Sequence, residues 1–274
     1  MKISYNEESF IIDEDLCLAM VDKRITCDME EELKKRNIQI IKTIECKECY
    51  DAIKYHPDIN VCNLGGGNIV VSPNTYEYYY KVLTEYGFNV IKGDSYIKNK
   101  YPYNIHYNVA IFGKYVMHNF KYTDKKILYF IESKNLIKIN VNQGYTKCCV
   151  CIVDEGSIIT SDEGIYKVAI EHNIDCLLIT KGHIDLFELN YGFIGGCSGF
   201  IGKNKIAFCG DITKHPDYIN IYKFLYKKNK EIVNLSKERL LDLGSIIPLM
   251  TRKEWWRWKI KRFIWVYYLN MNLQ

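Results

Sequence analysis

Six histidines and eleven cysteines are the side chains of this 274-residue chain best suited to do chemistry. Two of the histidines stand in the same tripeptide, His56-Pro57-Asp58 and His215-Pro216-Asp217. Proline fixes φ, so each His and Asp would be held in a set relative orientation. The plain alternative is a pair of turn or helix-start signals, where Asp and Pro are favoured in any case. His183-Ile184-Asp185 follows Gly182 at the end of an apolar run, a loop position that suits a base moving protons. A surface histidine without a role fits that pattern equally well.

Among the thiols, Cys148 and Cys197 are the candidate nucleophiles. Cys148 begins an apolar, strand-like run, and the adjacent Lys147 would favour its thiolate. Packing as a small core hydrophobe is the commoner use of a free cysteine. Cys197 lies in Gly195-Gly196-Cys197-Ser198-Gly199, where dense glycine lets backbone approach a ligand closely or, equally, marks a bulged strand. Asp211 and Asp242, beside glycines at strand ends, could face a ligand as cation holders or could cap backbone donors. Cys46/Cys49 and Cys148/Cys151 have the spacing of zinc-binding pairs. Strand alternation would place Cys148 and Cys151 on opposite faces, so neither a metal nor a cofactor is expected. The absence of Gly-x-x-x-x-Gly-Lys and His-Glu-x-x-His removes the usual support for nucleotide hydrolysis and zinc proteolysis.

The elements that must position these groups form a repeat. Five apolar runs end at Asp22, Ser72, His118, Ser161 and Cys209, spaced 50, 46, 43 and 48 residues apart. Each is followed by a helix-like stretch and then a second β-rich run: Ile38–Ile41, Phe88–Ile91, Leu136–Ile139, Asp175–Ile179 and Glu231–Leu235. A further strand precedes the first run across a tight turn, as with Phe10–Ile12, Tyr107–Phe112 and Cys149–Val153. The helices are short and amphipathic; in 76–86, Tyr76, Tyr79, Tyr80 and Leu83 share a face. Asn37, Gly87, Asn135, Asn173 and Asn229 occupy one relative position, where a residue tolerant of left-handed backbone ends the helix. One sheet and one helix cannot cover both faces of such a unit. Five must pack side by side, and a ring satisfies all of them, with loops converging on its axis.

On these residues the chain resembles the pentein superfold of guanidino-group-modifying enzymes, which includes arginine deiminase, dimethylargininase and amidinotransferases. The runs Gln143-Gly-Tyr-Thr-Lys-Cys148, Gly192-Phe-Ile-Gly-Gly-Cys-Ser-Gly199, Gly210-Asp-Ile-Thr-Lys-His-Pro-Asp217 and Asp242-Leu-Gly-Ser-Ile-Ile-Pro-Leu249 look like a bacterial branch of it. The resemblance implies a five-fold pseudosymmetric α/β propeller over residues 1–249. It also implies attack on a guanidinium carbon by a cysteine thiolate, with a histidine moving protons and carboxylates holding the cation. His183-Ile184-Asp185 matches the family's His-x-Asp. The family's Cys-x-x-x-Pro-Leu aligns with Gly244 to Leu249, so glycine stands where the nucleophile belongs. Gly65-Gly66-Gly67-Asn68 is the nearest match to an acidic-Gly-Gly-Asp/Asn segment and lacks the acid. The expected roles are therefore Cys148 or Cys197 as nucleophile, His183 as acid/base, and Asp185 or Asp211 as clamp. His56, Asp58, Gln143, His215 and Asp242 complete the candidate ligand-binding set. The expected partner is a small cationic, guanidino- or amidino-like molecule; the competing class is a non-catalytic binding or structural protein.

Charge and composition narrow the partners. Residues 251–274 hold six Lys/Arg against one Glu, a net of +5, which leaves about −1 elsewhere in a chain whose total is +4. A body so balanced has no footprint for nucleic acid. All four tryptophans fall in the 250–274 extension, which if helical would lie at a membrane interface or dock on the ring or a partner subunit. The N-terminus lacks the apolar run of a signal peptide, and unpaired cysteines suit a reducing compartment, so a cytoplasmic location is expected.

Overall fold

A computed structural model describes residues 2–253. The first unit opens with β1 (Lys2–Tyr5), β2 (Asp15–Val21), α1 (Cys27–Lys35) and β3 (Gln39–Lys42). The second is α2 (Pro57–Asn60), β4 (Val61–Gly65), β5 (Asn68–Val71), α3 (Tyr76–Glu85) and β6 (Asn89–Lys92). The third is β7 (Ala110–Phe112), β8 (Tyr115–His118), α4 (Lys125–Ser133) and β9 (Ile137–Asn140). The fourth is α5 (Thr146–Cys149), β10 (Val150–Asp154), β11 (Ser157–Thr160), α6 (Glu163–Glu171) and β12 (Asp175–Leu178). The fifth is β13 (Ser198–Gly202), β14 (Lys205–Phe208), α7 (Tyr218–Lys227) and β15 (Glu231–Asn234), after which β16 (Ile247–Lys253) returns to the first unit.

Each unit forms its own small sheet: an antiparallel hairpin whose second strand crosses through a helix to a parallel third strand, as in β4-β5-β6 and β10-β11-β12. The first sheet is β1-β16-β2-β3, so the last described strand pairs with both β1 and β2 and closes the ring. Phe10–Ile12 is therefore not the expected hairpin strand. Phe10 and Ile12 are apolar because they are buried in an irregular segment, and β16 takes the antiparallel place beside β2. β16 also carries the ring through Lys253. The remainder of the basic, Trp-rich extension lies outside the described residues.

The helix stops follow the sequence. Asn37, Gly87, Asn135, Asn173 and Asn229 all have positive φ, between 52° and 83°. In α3, Tyr79 and Leu83 are fully buried, whereas Tyr80 turns outward and is 47% exposed. The same irregularity recurs in four antiparallel pairs, three hairpins and the β16–β2 pair: the register shifts by one residue at Leu64, Val153, Ile201 and Leu249. Counting five residues back from each gives Ile59, Cys148, Gly196 and Gly244 as equivalent positions. The pre-strand segments that carry them are joined by a closed circuit of hydrogen bonds. Lys147 N donates to Asn108 O (3.2 Å), Gly196 N to Cys148 O (2.8 Å), Ser245 N to Gly196 O (2.7 Å) and Asp58 N to Gly244 O (3.4 Å). Asn108 Nδ2 to Asp58 O (3.2 Å) completes it. Five units meeting around one axis can make such a circuit; an open sheet cannot. Among the described residues no helix is long and apolar enough to cross a membrane.

Candidate functional site

The circuit leaves a cleft of about 280 Å³ at one end of the axis. Its walls are mostly apolar and aromatic, with Tyr50, Tyr145, Leu186, Leu189, Tyr191 and Phe193, and its polar floor is His56, Cys148 and Asp242. Aromatic walls over a few convergent polar groups are the usual anatomy of a small-molecule site. The wall is braced from behind, since Tyr50 and Tyr145 share a hydroxyl hydrogen bond of 3.2 Å and Tyr145 donates to Asn104 at 2.9 Å.

The floor is built from four segments. His56 caps the start of α2, with Pro57 in the first turn, so the His-Pro-Asp signal is a helix start that also delivers two buried groups. Cys148 lies in the last turn of α5, not at the start of a strand as its apolar surroundings suggest. Its Sγ donates to Asp58 Oδ2 at 3.0 Å and accepts from Asn108 Nδ2 at 3.3 Å. Ser245 Oγ donates to the same Asp58 oxygen (2.8 Å), and Lys147 Nζ donates to Ser245 Oγ (2.9 Å). Asp242 accepts from Gly244 N (3.0 Å) and Phe193 N (2.8 Å), which fixes its carboxylate between units.

Glycines make the room. Gly244 has φ +65°, and a Cβ there would stand 2.7 Å from His56 Cα and closer still to the imidazole side chain. A Cβ on Gly196 would meet the Asp242 carboxylate, 2.6 Å from Oδ2. At the axis, His56 thus fills the space that a side chain at position 244 would need, and Cys148 is the equivalent residue two units away.

Burial dominates the electrostatics. It pushes the Asp58 carboxyl up to about 6, against the pull of Lys147 and the hydrogen bonds from Cys148 and Ser245. It pushes Asp242 up to about 7, and the neighbouring Asp58 adds to that. It holds His56 neutral, with a pKa lowered to about 3, and the Arg24 charge works in the same direction. The Cys148 thiol is raised well above its ordinary value by burial and by Asp58 and Asp242. Lys147 does not offset this; its ammonium is turned toward Ser245 and Gly195 O instead.

The other sequence candidates fall elsewhere. Cys197 is buried and donates to Ile194 O at 3.3 Å, outside the cleft lining. His183 is exposed and rests against His215, ring centroids 5.7 Å apart. His215 Nδ1 accepts from Asp217 N (3.1 Å), and Asp185 pairs with Arg239 (3.2 Å). Asp211 caps the turn Ile212–Lys214 and accepts from Asn234, and Gln143 donates to Asp162 (3.1 Å). The structure brings together His56, Asp58, Cys148 and Asp242. It adds Asn108, Ser245 and the pair Asp22–Arg24, none of which carried a chemical signal in sequence; Ser245 was visible only as part of the run before β16.

The comparisons with other proteins follow this geometry. The sequence model of a family of unknown function, DUF6873, matches residues 20–247. The chain belongs to that family. No curated protein matches the DUF6873 chain. Among solved structures it resembles the inosamine-phosphate amidinotransferase of Streptomyces griseus, at 10% identity and a TM-score of 0.55, over 91% of this chain and 98% of that one. It also resembles an amidinotransferase of the saxitoxin biosynthetic pathway from Microseira wollei (11%, 0.51, over 85% and 91%). Agmatine deiminase of C. jejuni is similar to the same degree (11%, 0.51, over 86% and 92%). At such identities the likeness is one of fold, and it establishes the pentein propeller for this DUF6873 protein.

Proposed function

We propose that the axial cleft binds a small molecule with a planar cationic head of guanidino or amidino type, and that Cys148 attacks its central carbon. The observation that carries this reading is the pair Asp58 and Asp242, buried and held up in pKa beneath aromatic walls. When ionised, Asp22, Asp58 and Asp242 outnumber the buried or half-buried cations Arg24 and Lys147 by one charge. A bound monocation would restore the balance and, standing beside the sulfur, would lower the cost of the thiolate. Two amidinotransferases and an agmatine deiminase that share the fold support the same substrate class.

The chemistry needs no group beyond the floor. As Cys148 Sγ bonds to the head carbon, its proton passes to Asp58 Oδ2, 3.0 Å away. The carbon–nitrogen bond to the leaving amine breaks, and the amine takes that proton. Water or an acceptor amine then displaces the sulfur and restores the thiol.

A non-catalytic binding role is favoured by one specific observation, the raised thiol pKa. Two measurements separate the readings. Arginine or agmatine should raise the melting temperature of the wild type and not of Asp242→Asn. A haloacetamidine should add one mass label at Cys148 and be blocked by the same compounds. Stabilisation without labelling leaves a binding protein; neither effect removes the proposal.

A further inference from the structure

His56 is 1% exposed, and neither of its ring nitrogens has a hydrogen-bond partner. Burying an imidazole with both nitrogens unpaired forfeits the hydrogen bonds that each makes with water in the unfolded chain. A fold that tolerates this at its centre leaves those nitrogens for something else. One Asp58 oxygen, Oδ1, is buried without a partner as well.

The donors around His56 are unlike in kind and close together. One ligand atom each from His56, Cys148 and Asp242 lie within 4.8 Å of one another, and all three residues are buried. His56 Nδ1 faces Asp242 Oδ1 at 4.0 Å. Its other nitrogen, Nε2, faces Asp22 Oδ2 at 3.9 Å. Asp22 is clamped by Arg24, whose Nε and Nη2 donate to its two oxygens at 3.0 and 2.7 Å.

We infer that His56, Cys148 and Asp242 form a site for a borderline-soft divalent cation of the zinc type. Thiolate, imidazole and carboxylate together are the donor set of that ion class, whereas magnesium and calcium want oxygen donors only. Ligands about 2.0–2.3 Å from a common ion lie roughly 3.3–4 Å apart, so a modest contraction of the cluster suffices. Nδ1 is the ligating nitrogen. Nε2–H then donates to Asp22, giving the carboxylate–histidine–metal arrangement that orients a ligand ring. Entry of the ion displaces the Cys148 thiol proton to solvent, and thiolate plus carboxylate neutralise the double positive charge. The fourth position opens on the cleft, as in sites that meet a ligand rather than only brace a fold. The inference does not depend on the cationic-ligand reading, although both draw on the same floor.

The test uses the full chain, tag-free, chelator-treated and reduced, titrated with Co²⁺ and then with Zn²⁺ in competition. The expected result is one ion per chain and a thiolate-to-cobalt charge-transfer band that disappears in Cys148→Ala. His56→Gln should weaken binding at least tenfold, and Asp22→Asn by about 10–100-fold, the range for an outer partner of a ligating histidine. Cys46→Ser and Cys49→Ser should bind as the wild type does. X-ray absorption of the zinc-loaded wild type, which needs no variant to fold, should show one sulfur with nitrogen and oxygen neighbours. No charge-transfer band, a band that survives Cys148→Ala, or a shell of two or more sulfurs would each overturn the site.

Discussion

Gly244 and His56 exclude one another: with φ at +65°, any Cβ on residue 244 would press into the His56 side chain and stand 2.7 Å from its Cα. Position 244 is where the pentein motif resemblance places a nucleophilic cysteine, and Cys148 occupies the equivalent position of the fourth unit. The buried thiol of this chain thus stands two units around the ring from Gly244, and His56 fills the space beside that glycine.

That relationship predicts the outcome of restoring the expected residue. Gly244→Cys should destabilise by about 2–5 kcal/mol, from left-handed backbone strain plus overpacking. The double variant Gly244→Cys/His56→Gly should recover part of the loss. Denaturant midpoints of the three proteins decide it, and a Gly244→Cys protein as stable as wild type would show that the space is not contested.

The thiol at the axis should be slow. At pH 8 iodoacetamide should label the exposed Cys27 at least tenfold faster than Cys148, because each unit of pKa costs a factor of ten in thiolate. Peptide mass mapping over a time course reads both rates together. Cys148 reacting first would mean that its environment favours the thiolate.

Asp242 makes stability depend on pH in a definite sense. Its folded pKa, about 7, lies above the ordinary carboxylate value of 3.8, so the folded protein holds the proton more tightly. Its contribution is fully present below about pH 4 and is lost as pH rises through 7. Asn does not titrate, so Asp242→Asn should gain on the wild type by up to about 4 kcal/mol between pH 4 and 8. His56 works in the opposite sense, its contribution being present above pH 6.5 and lost as pH falls toward 3. Unfolding curves of both proteins at several pH values test the difference; parallel profiles would count against a buried, raised Asp242.

The helix stops give a prediction independent of the site. Asn229 has φ +54°, so Asn229→Ala should cost about 1 kcal/mol while Asn229→Gly should be close to neutral. Equal effects of the two substitutions on thermal melting would contradict a left-handed stop there.

Sequence alone determined the ring. Alternation of apolar runs and the five left-handed helix stops are local signals, set by side-chain period and backbone sterics, and they repeat at one spacing. The likeness of place between Cys148 and Gly244 was legible too, because each stands just before an apolar strand run. Tertiary structure decided which groups meet. His183 and His215 carry the same kind of pattern as His56, yet they rest against each other outside the cleft. Asp22, Asn108 and Ser245 reach the floor from three segments far apart in the chain with no motif to announce them. Phe10–Ile12 reads as a strand but yields its place to β16, a partner more than two hundred residues away. A local pattern records how each segment folds. The floor is made of contacts between segments far apart in the chain, and only closing the circuit of five units brings them within hydrogen-bond reach.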